Sequence, residues 1–181
     1  MFPIGSEKLK RWLKRTLLAF FAFAVVIVTV LWSLMVVARA RGVREVALPT
    51  PSLIARFQIG ADYADAYELR FKPNAVKNIS QVIDSAFAKF TEVGRTDTEV
   101  LYTDRAPGLT FYVLYRLDSA SNPTRLTMAT VVHYTSVKGR LYFTLVRPIH
   151  RALVPFMFSR MQTMNNNRNT LAIRGQPPFA F

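Results

Sequence analysis

The chain has 181 residues, 51% of them hydrophobic, and carries 24 Lys or Arg against 11 Asp or Glu, for a formal net charge of +13. The absence of cysteine excludes disulfides, thiolate nucleophiles and Cys-based metal sites, and 2 histidines are too few for a multi-histidine site. We find no Gly-rich phosphate loop, no nucleic-acid-binding module and no metal-site spacing of His with carboxylates, so we expect no cofactor, no metal and no nucleic-acid partner.

The charges are unevenly distributed along the chain. All acidic residues lie at or before Asp118, whereas residues 119–181 contain eight Lys or Arg and no Asp or Glu. Such a region forms either a solvated basic face or a surface for anionic lipid or an acidic partner.

The first predicted element is a transmembrane helix. Thr16 to Ala38 is a run of 23 residues without a charge, and such a helix is roughly 34 Å long, enough for a hydrocarbon core of about 30 Å. Trp12 and Trp32 lie towards its two ends, where aromatic rings favour the interface. A cleaved signal peptide is the alternative, because Ala38-Arg39-Ala40 resembles a cleavage site, although the apolar run exceeds the usual length of about 7–15 residues.

The flanks of this helix predict its orientation and the division of the chain. Residues 1–15 form a basic flank with five Lys or Arg in its second half, against three Arg after the helix, which predicts the N-terminus inside and the C-terminal part outside. Residues 39–51 predict a linker, residues 52–164 a domain, and residues 165–181 a polar tail that is either disordered or an arm gripping a partner.

Hydrophobic periodicity predicts two strands and a helix at the start of the domain. Ile54 to Gly60 reads as a strand, and Tyr63 to Phe71 alternates so that Asp65 is the one acid on an apolar face. An amphipathic helix follows, capped by Asn78 or Ser80.

The rest of the domain predicts an antiparallel meander. Pro107 and Gly108 supply the turn of a hairpin, an alternating strand spans Arg125 to Thr135, and Arg140 to Val146 predicts a returning strand. The predicted fold class is therefore α+β: an N-terminal transmembrane helix, then a curved antiparallel sheet packed against one inserted and one C-terminal helix.

The segment from Leu141 to Phe158 is apolar but is not a second membrane span. Arg147 and Arg151 lie near its middle, and each costs about 2.5–3.5 kcal/mol there. A core helix that starts at Pro148 fits better, with a kink expected near Arg151 because of Pro155; the alternative is a short turn at Pro148 followed by a longer helix that starts near Val154.

Two sets of residues in this late segment are candidate contacts. Arg140, Arg147, His150 and Arg151 form a candidate site for an anion or a partner, and Phe143, Phe156, Met157 and Met161 are the candidate lining of a pocket.

The two histidines are read differently. The cations around His150 favour a neutral imidazole, and a role as general base requires an acid such as Asp65, Asp104 or Asp118 to approach through the fold. His133 is expected to be a hydrogen-bonded core or rim residue.

Three segments resemble the uncharacterised bacterial family named domain of unknown function 2867. They are ADYADAYELRF, ISQVIDSAFAKF and the late stretch from Leu126 to Met161, whose matching positions are Thr130, Val131, Val132, Gly139, Arg140, Tyr142, Pro148, His150 and Arg151. The architecture is also similar to the START-like helix-grip fold, in which a curved sheet wraps a long C-terminal helix. The resemblance implies a bacterial protein, so the anchor predicted from the apolar run is expected in the inner membrane, although typical members of the family look soluble. The resemblance carries over no catalytic residue.

Three functions are consistent with these features. The first is a single-pass, non-catalytic accessory or assembly subunit of a larger membrane complex, which contacts other membrane protein subunits through its anchor, basic surface and tail. The second is a membrane-tethered domain that binds a lipid or another small hydrophobic ligand. The third is an enzyme that uses His150 with a distant acid. We expect the first, with the lipid bilayer as a further partner, and no enzymatic activity.

Overall fold

The computed structural model describes residues 6–71, 76, 78–83 and 90–173. These residues form two long helices, two short helices and six strands. In chain order the elements are α1 (Ser6–Ala40), β1 (Arg44–Glu45), α2 (Ala55–Gln58), β2 (Tyr63–Arg70), α3 (Ser80–Ile83), β3 (Thr91–Arg95), β4 (Glu99–Ala106), β5 (Leu109–Asp118), β6 (Arg125–Tyr134) and α4 (Val137–Ile173).

The strands form one open antiparallel sheet in the order β1-β2-β6-β5-β4-β3. The β4–β5 hairpin turns at Pro107-Gly108, and β5 pairs with β6 along its whole length, from Leu109 opposite Tyr134 to Asp118 opposite Arg125. The α+β class, the long N-terminal apolar helix and the antiparallel sheet are confirmed.

Each face of the sheet buries its own set of apolar side chains. The face that bears Tyr67, Leu126 and Tyr115 packs under Phe158 of α4, while the opposite face packs against residues 46–61, including Ile54. The alternation predicted for β2 and β6 is therefore confirmed, because successive side chains of a strand point to opposite faces.

Helix α1 ends with its last turns packed on the domain. Ala38 and Val43 are almost fully buried in the same cluster as Phe158. Gly42 adopts a positive φ of 86°, its N–H donates to the carbonyl of Arg39, and the N–H of Val43 donates to that of Ala38. This pair of bonds is a Schellman motif, which stops the helix and turns the chain towards β1.

The start of α4 corrects the strand predicted for Arg140 to Val146. The helix begins at Val137, and Ser136 caps it because its Oγ accepts a hydrogen bond from the N–H of Gly139 at 3.1 Å. Phe143 is buried against Tyr63 and Tyr134, which favours a helix over the β propensity of this segment.

The rest of α4 differs from the prediction in two ways. The helix is continuous through Pro148 and Pro155 and has no start at Pro148. It also runs past Met164, where the domain was predicted to end, to Ile173, and residues 174–181 of the predicted tail lie outside the described residues.

Two predictions near the start of the domain have different outcomes. The predicted strand from Ile54 to Gly60 is wrong, since it contains helix α2, whose flanking Ile54 is fully buried against the sheet. The predicted inserted helix is described only as α3, because residues 84–89 are outside the described part of the chain.

Candidate functional site

A cleft of about 600 Å³ lies where the end of α1 meets α4 and β1. One wall is apolar and comes mainly from α1, and the rim is charged. The apolar lining includes Val28, Leu31, Trp32, Met35, Pro148 and Pro155, and the charged lining is Arg39, Glu45, Arg147 and Arg151. A cleft with an apolar wall and a few convergent charges has the general composition of a ligand site.

The small side chains of α4 explain why the two helices can approach each other. Ala152 and Ser159 are fully buried, and Arg41, just after α1, donates to the Oγ of Ser159 at 3.4 Å and lies over the ring of Phe156. Because Ser159 does not project far from the helix axis, the end of α1 can lie close to this side of α4.

The cations of the cleft have different partners. Arg151 donates to both carboxylate oxygens of Glu45, at 3.0 and 3.2 Å, and the carboxylate of Glu45 raises the pKa of Arg151. The guanidinium of Arg147 lies 5.1 Å from the centroid of the Tyr63 ring. No acid of the described residues lies within ion-pair distance of Arg39 or Arg147, so the cleft keeps an excess of positive charge.

Next to the cleft, a buried polar cluster joins β2 to α4. The Tyr63 hydroxyl donates to Asp65 Oδ2 at 2.5 Å, and His150 Nε2 lies 3.4 Å from the same oxygen. The Asp65 side chain is 3% exposed and that of His150 18% exposed. Burial, reinforced by Asp65, raises the pKa of both Tyr63 and Tyr67, so both phenols stay protonated.

This cluster brings His150 and Asp65 together but does not complete a catalytic constellation. The 3.4 Å contact does not have hydrogen-bond geometry, and His150 Nε2 and Asp65 Oδ1 are buried without a hydrogen-bond partner in the described structure. No described hydroxyl group is hydrogen-bonded to the imidazole of His150, so no nucleophile is paired with a base there. The described residues also contain no group of three His, Asp or Glu that could hold a metal ion.

The four residues predicted to contact an anion or a partner do not all lie together. Arg147, His150 and Arg151 lie within two turns of α4 beside the cleft. Arg140 lies near the helix start, 3.9 Å from Asp62 and over the ring of Tyr134, and is not among the residues that line the cleft.

The four candidate pocket residues do not line this cleft. Phe143 is buried against Tyr63, and Phe156 and Met161 pack against the main core. Met157 is 60% exposed. Met157 therefore faces outwards, although it lies in the helix that was predicted to be a core helix.

Sequence reasoning missed two parts of the cleft. The wall from α1 gives no periodic signal, because almost every residue there is apolar. Glu45 could have been noticed in the sequence, because it is the one acid between Glu7 and Asp62. The prediction for His133 is confirmed: its Nε2 lies 2.8 Å from the carbonyl oxygen of Phe57.

Comparison with known protein families finds a match to part of the chain. The model of the family described as Protein of unknown function (DUF2867) matches residues 90–157, which include the late block from Thr130 to Arg151 but not β2 or α1. No curated protein matches the chain. The START-like helix-grip likeness is not confirmed. The predicted resemblance to DUF2867, a family of proteins of unknown function, is thereby confirmed over residues 90–157.

Proposed function

We propose that the chain is a membrane-anchored, non-catalytic domain that binds the headgroup of an anionic lipid in the cleft between α1 and α4. The observation that carries this proposal is the composition of the cleft. Its apolar wall belongs to a helix long and apolar enough to cross a membrane, and its rim carries Arg39 and Arg147 without an acidic partner in the described residues.

Two features support an uncleaved anchor. The candidate span, Leu9–Ala40, has 32 residues, so it is about 48 Å long, whereas a hydrocarbon core needs only about 30 Å. Its last turns pack on the domain, where Ala38 is 1% exposed. Cleavage after Ala40 would remove this buried residue from the core, whereas an anchor keeps it.

The length of the apolar run supports a position of the cleft rim at the membrane surface. Counted from Thr16, the first residue after the basic flank, about 20 residues cross the hydrocarbon core. This puts Val28 and Leu31 of the cleft wall inside the hydrocarbon core, Trp32 and Met35 near its boundary, and Arg39 about 6 Å beyond Met35, in the headgroup layer. The excess of N-terminal cations favours the N-terminus in the cytoplasm and the domain outside a bacterial inner membrane.

Native mass spectrometry of the full chain in a mild detergent tests this function. We expect added phosphatidylglycerol to bind more tightly than phosphatidylcholine. Each cation near an anionic surface contributes about 1 kcal/mol, so Arg39→Gln combined with Arg147→Gln should weaken phosphatidylglycerol binding roughly 30-fold.

Two further variants sharpen the test. Glu45→Gln releases Arg151 from its ion pair and should strengthen phosphatidylglycerol binding. Arg105→Gln removes one positive charge from the β4–β5 hairpin, outside the cleft, and should leave binding unchanged. Equal binding of both lipids, or equal losses for the Arg105 and the cleft variants, would sink the proposal.

A second candidate is the accessory subunit of a membrane complex. It is favoured by the exposed apolar surface of α1 from Leu17 to Val30, which another membrane helix could cover. Pull-down in a mild detergent followed by identification of stoichiometric partners decides between the two. A partner that is lost when this α1 surface is altered, but kept when Arg39 and Arg147 are, would support the subunit function.

A further inference from the structure

The outer side of α4 carries a continuous row of exposed apolar residues, which we name the α4 ridge. Its members are spaced four residues apart and are 39–70% exposed: Leu141, Leu145, Ile149, Leu153 and Met157. Residues four apart lie next to each other on a helix surface. A soluble helix normally buries such a row, so its exposure over four turns indicates an interaction surface.

The α4 ridge is not needed to fold the domain. The opposite side of the helix holds Phe143, which is buried against Tyr63, and further along Phe158, which contacts Tyr115 with ring centroids 6.5 Å apart. Because these residues already attach α4 to the sheet, the α4 ridge remains available for a partner.

The α4 ridge lies close to the end of the predicted anchor, α1. Arg147 and Pro148 lie between Leu145 and Ile149 in the sequence, and both line the cleft with Met35 and Arg39 near the end of α1. The turns of α4 that carry the ridge therefore lie beside the end of the apolar helix, at the depth that the proposed function assigns to the membrane surface.

The charge around the α4 ridge identifies its partner. Lys138, Arg140, Arg147 and Arg160 are exposed residues of the same helix, and no acid follows Asp118 in the sequence. An apolar row between cations, with no acid on the helix, has the composition of helices that lie in the interface of an anionic membrane. A protein partner would not require this one-sided charge.

We infer that α4 is an interfacial helix, whose ridge inserts between the headgroups of the same anionic bilayer that α1 spans. This inference rests on the membrane anchoring in the proposed function but not on lipid binding in the cleft. The domain is then held on the membrane along a second line of contact, which keeps the cleft facing the headgroup layer.

Single cysteines provide a clean test, because the full chain has none of its own. Leu145→Cys and Ile149→Cys are labelled with an environment-sensitive fluorophore after reconstitution into vesicles of phosphatidylcholine with phosphatidylglycerol. Phe21→Cys marks the anchor, and Asp104→Cys marks an exposed position of the sheet. All four positions are exposed, so the substitutions should not disturb the fold.

We expect a lipid with a nitroxide near its headgroup to quench the labels at positions 145 and 149 at least threefold more than the label at 104. Removal of phosphatidylglycerol should reduce this quenching at least twofold. Quenching equal to that at 104, quenching independent of phosphatidylglycerol, or protection from an aqueous quencher without lipid quenching would each overturn the inference, the last because it indicates a protein cover. If the label at Phe21 is not quenched by a nitroxide deep in the bilayer, the anchor itself fails.

Discussion

Replacement of Gly139 by alanine should destabilise the chain strongly. A Cβ at this position would lie 1.8 Å from the carbonyl oxygen of Gly108, at the tip of the β4–β5 hairpin, whereas real Cβ contacts are essentially never shorter than 3.0 Å. The two backbones must therefore separate by at least 1.2 Å, the difference between these distances. Side-chain movement cannot relieve this contact, because both groups are backbone or attached directly to it.

The magnitude follows from what this separation breaks. The carbonyl of Gly108 accepts a hydrogen bond from the N–H of Thr135 at 2.9 Å, and the N–H of Gly139 donates to the Ser136 cap at 3.1 Å. Overpacking costs about 1–3 kcal/mol and each lost hydrogen bond about 1 kcal/mol. We expect Gly139→Ala to lower the free energy of unfolding by about 3 kcal/mol.

The assay is equilibrium unfolding of the full chain in detergent, followed by circular dichroism. Gly94→Ala is the matched control, because its Cβ would meet only Leu53 Cδ1 at 3.7 Å, an ordinary contact, and its φ is not positive. The control should be neutral or stabilising by up to about 1 kcal/mol. If Gly139→Ala unfolds at the same denaturant concentration as Gly94→Ala, the close contact between hairpin and helix does not exist in the protein.

Two further predictions concern pH and the ion pair of the cleft. Burial raises the pKa of Tyr63 and Tyr115, so above about pH 10 only the unfolded chain loses these protons, and the free energy of unfolding falls by about 1.4 kcal/mol per pH unit for each. Tyr63→Phe or Tyr115→Phe should flatten this fall in alkaline unfolding curves, whereas substitution of the exposed Tyr142 should not. Glu45 and Arg151 are 54% and 45% exposed, so a double-mutant cycle should give a coupling energy of at most about 1 kcal/mol, reduced by salt; a value of 2 kcal/mol would contradict this interpretation.

The strands with strict alternation could be predicted because the sheet is covered on both faces. In β2, every second residue from Tyr63 to Leu69 packs under the helices, and this requirement appears directly as period two in the sequence. The short edge strands β1 and β3 were missed because their residues are largely exposed and carry no such pattern.

The two wrong strands, Ile54 to Gly60 and Arg140 to Val146, share a cause. Both are rich in residues that favour strands, but tertiary contacts decide their conformation. For Arg140 to Val146, the contact between Gly139 and Gly108 and the burial of Phe143 fix a helix. Ser136, which caps this helix, was the available signal, and Pro148 was a misleading one.

The candidate site shows the same division between local and tertiary information. The basic character of Arg147 and Arg151 and the candidacy of Asp65 as the partner of His150 could be read from the sequence. The sequence could not show that Arg147 and Arg151 lie at the cleft rim while Asp65 lies in a buried cluster. This separation depends on tertiary contacts, in which Glu45 pairs with Arg151 and Tyr63 pairs with Asp65.

The sequence of α1 does not show which side of its last turns packs on the domain. Leu31, Met35 and Ala38 face the domain, whereas their neighbours Trp32 and Val36 stay exposed. All five are apolar, so composition cannot distinguish a side chain that meets lipid from one that meets protein. The cap at the end of α1 determines which side chains are covered, because it turns the chain back so that β1 and α4 lie against one side of the last turns. The cleft lies at this edge, where the cover ends, and a lipid held there would contact the protein and the bilayer at once.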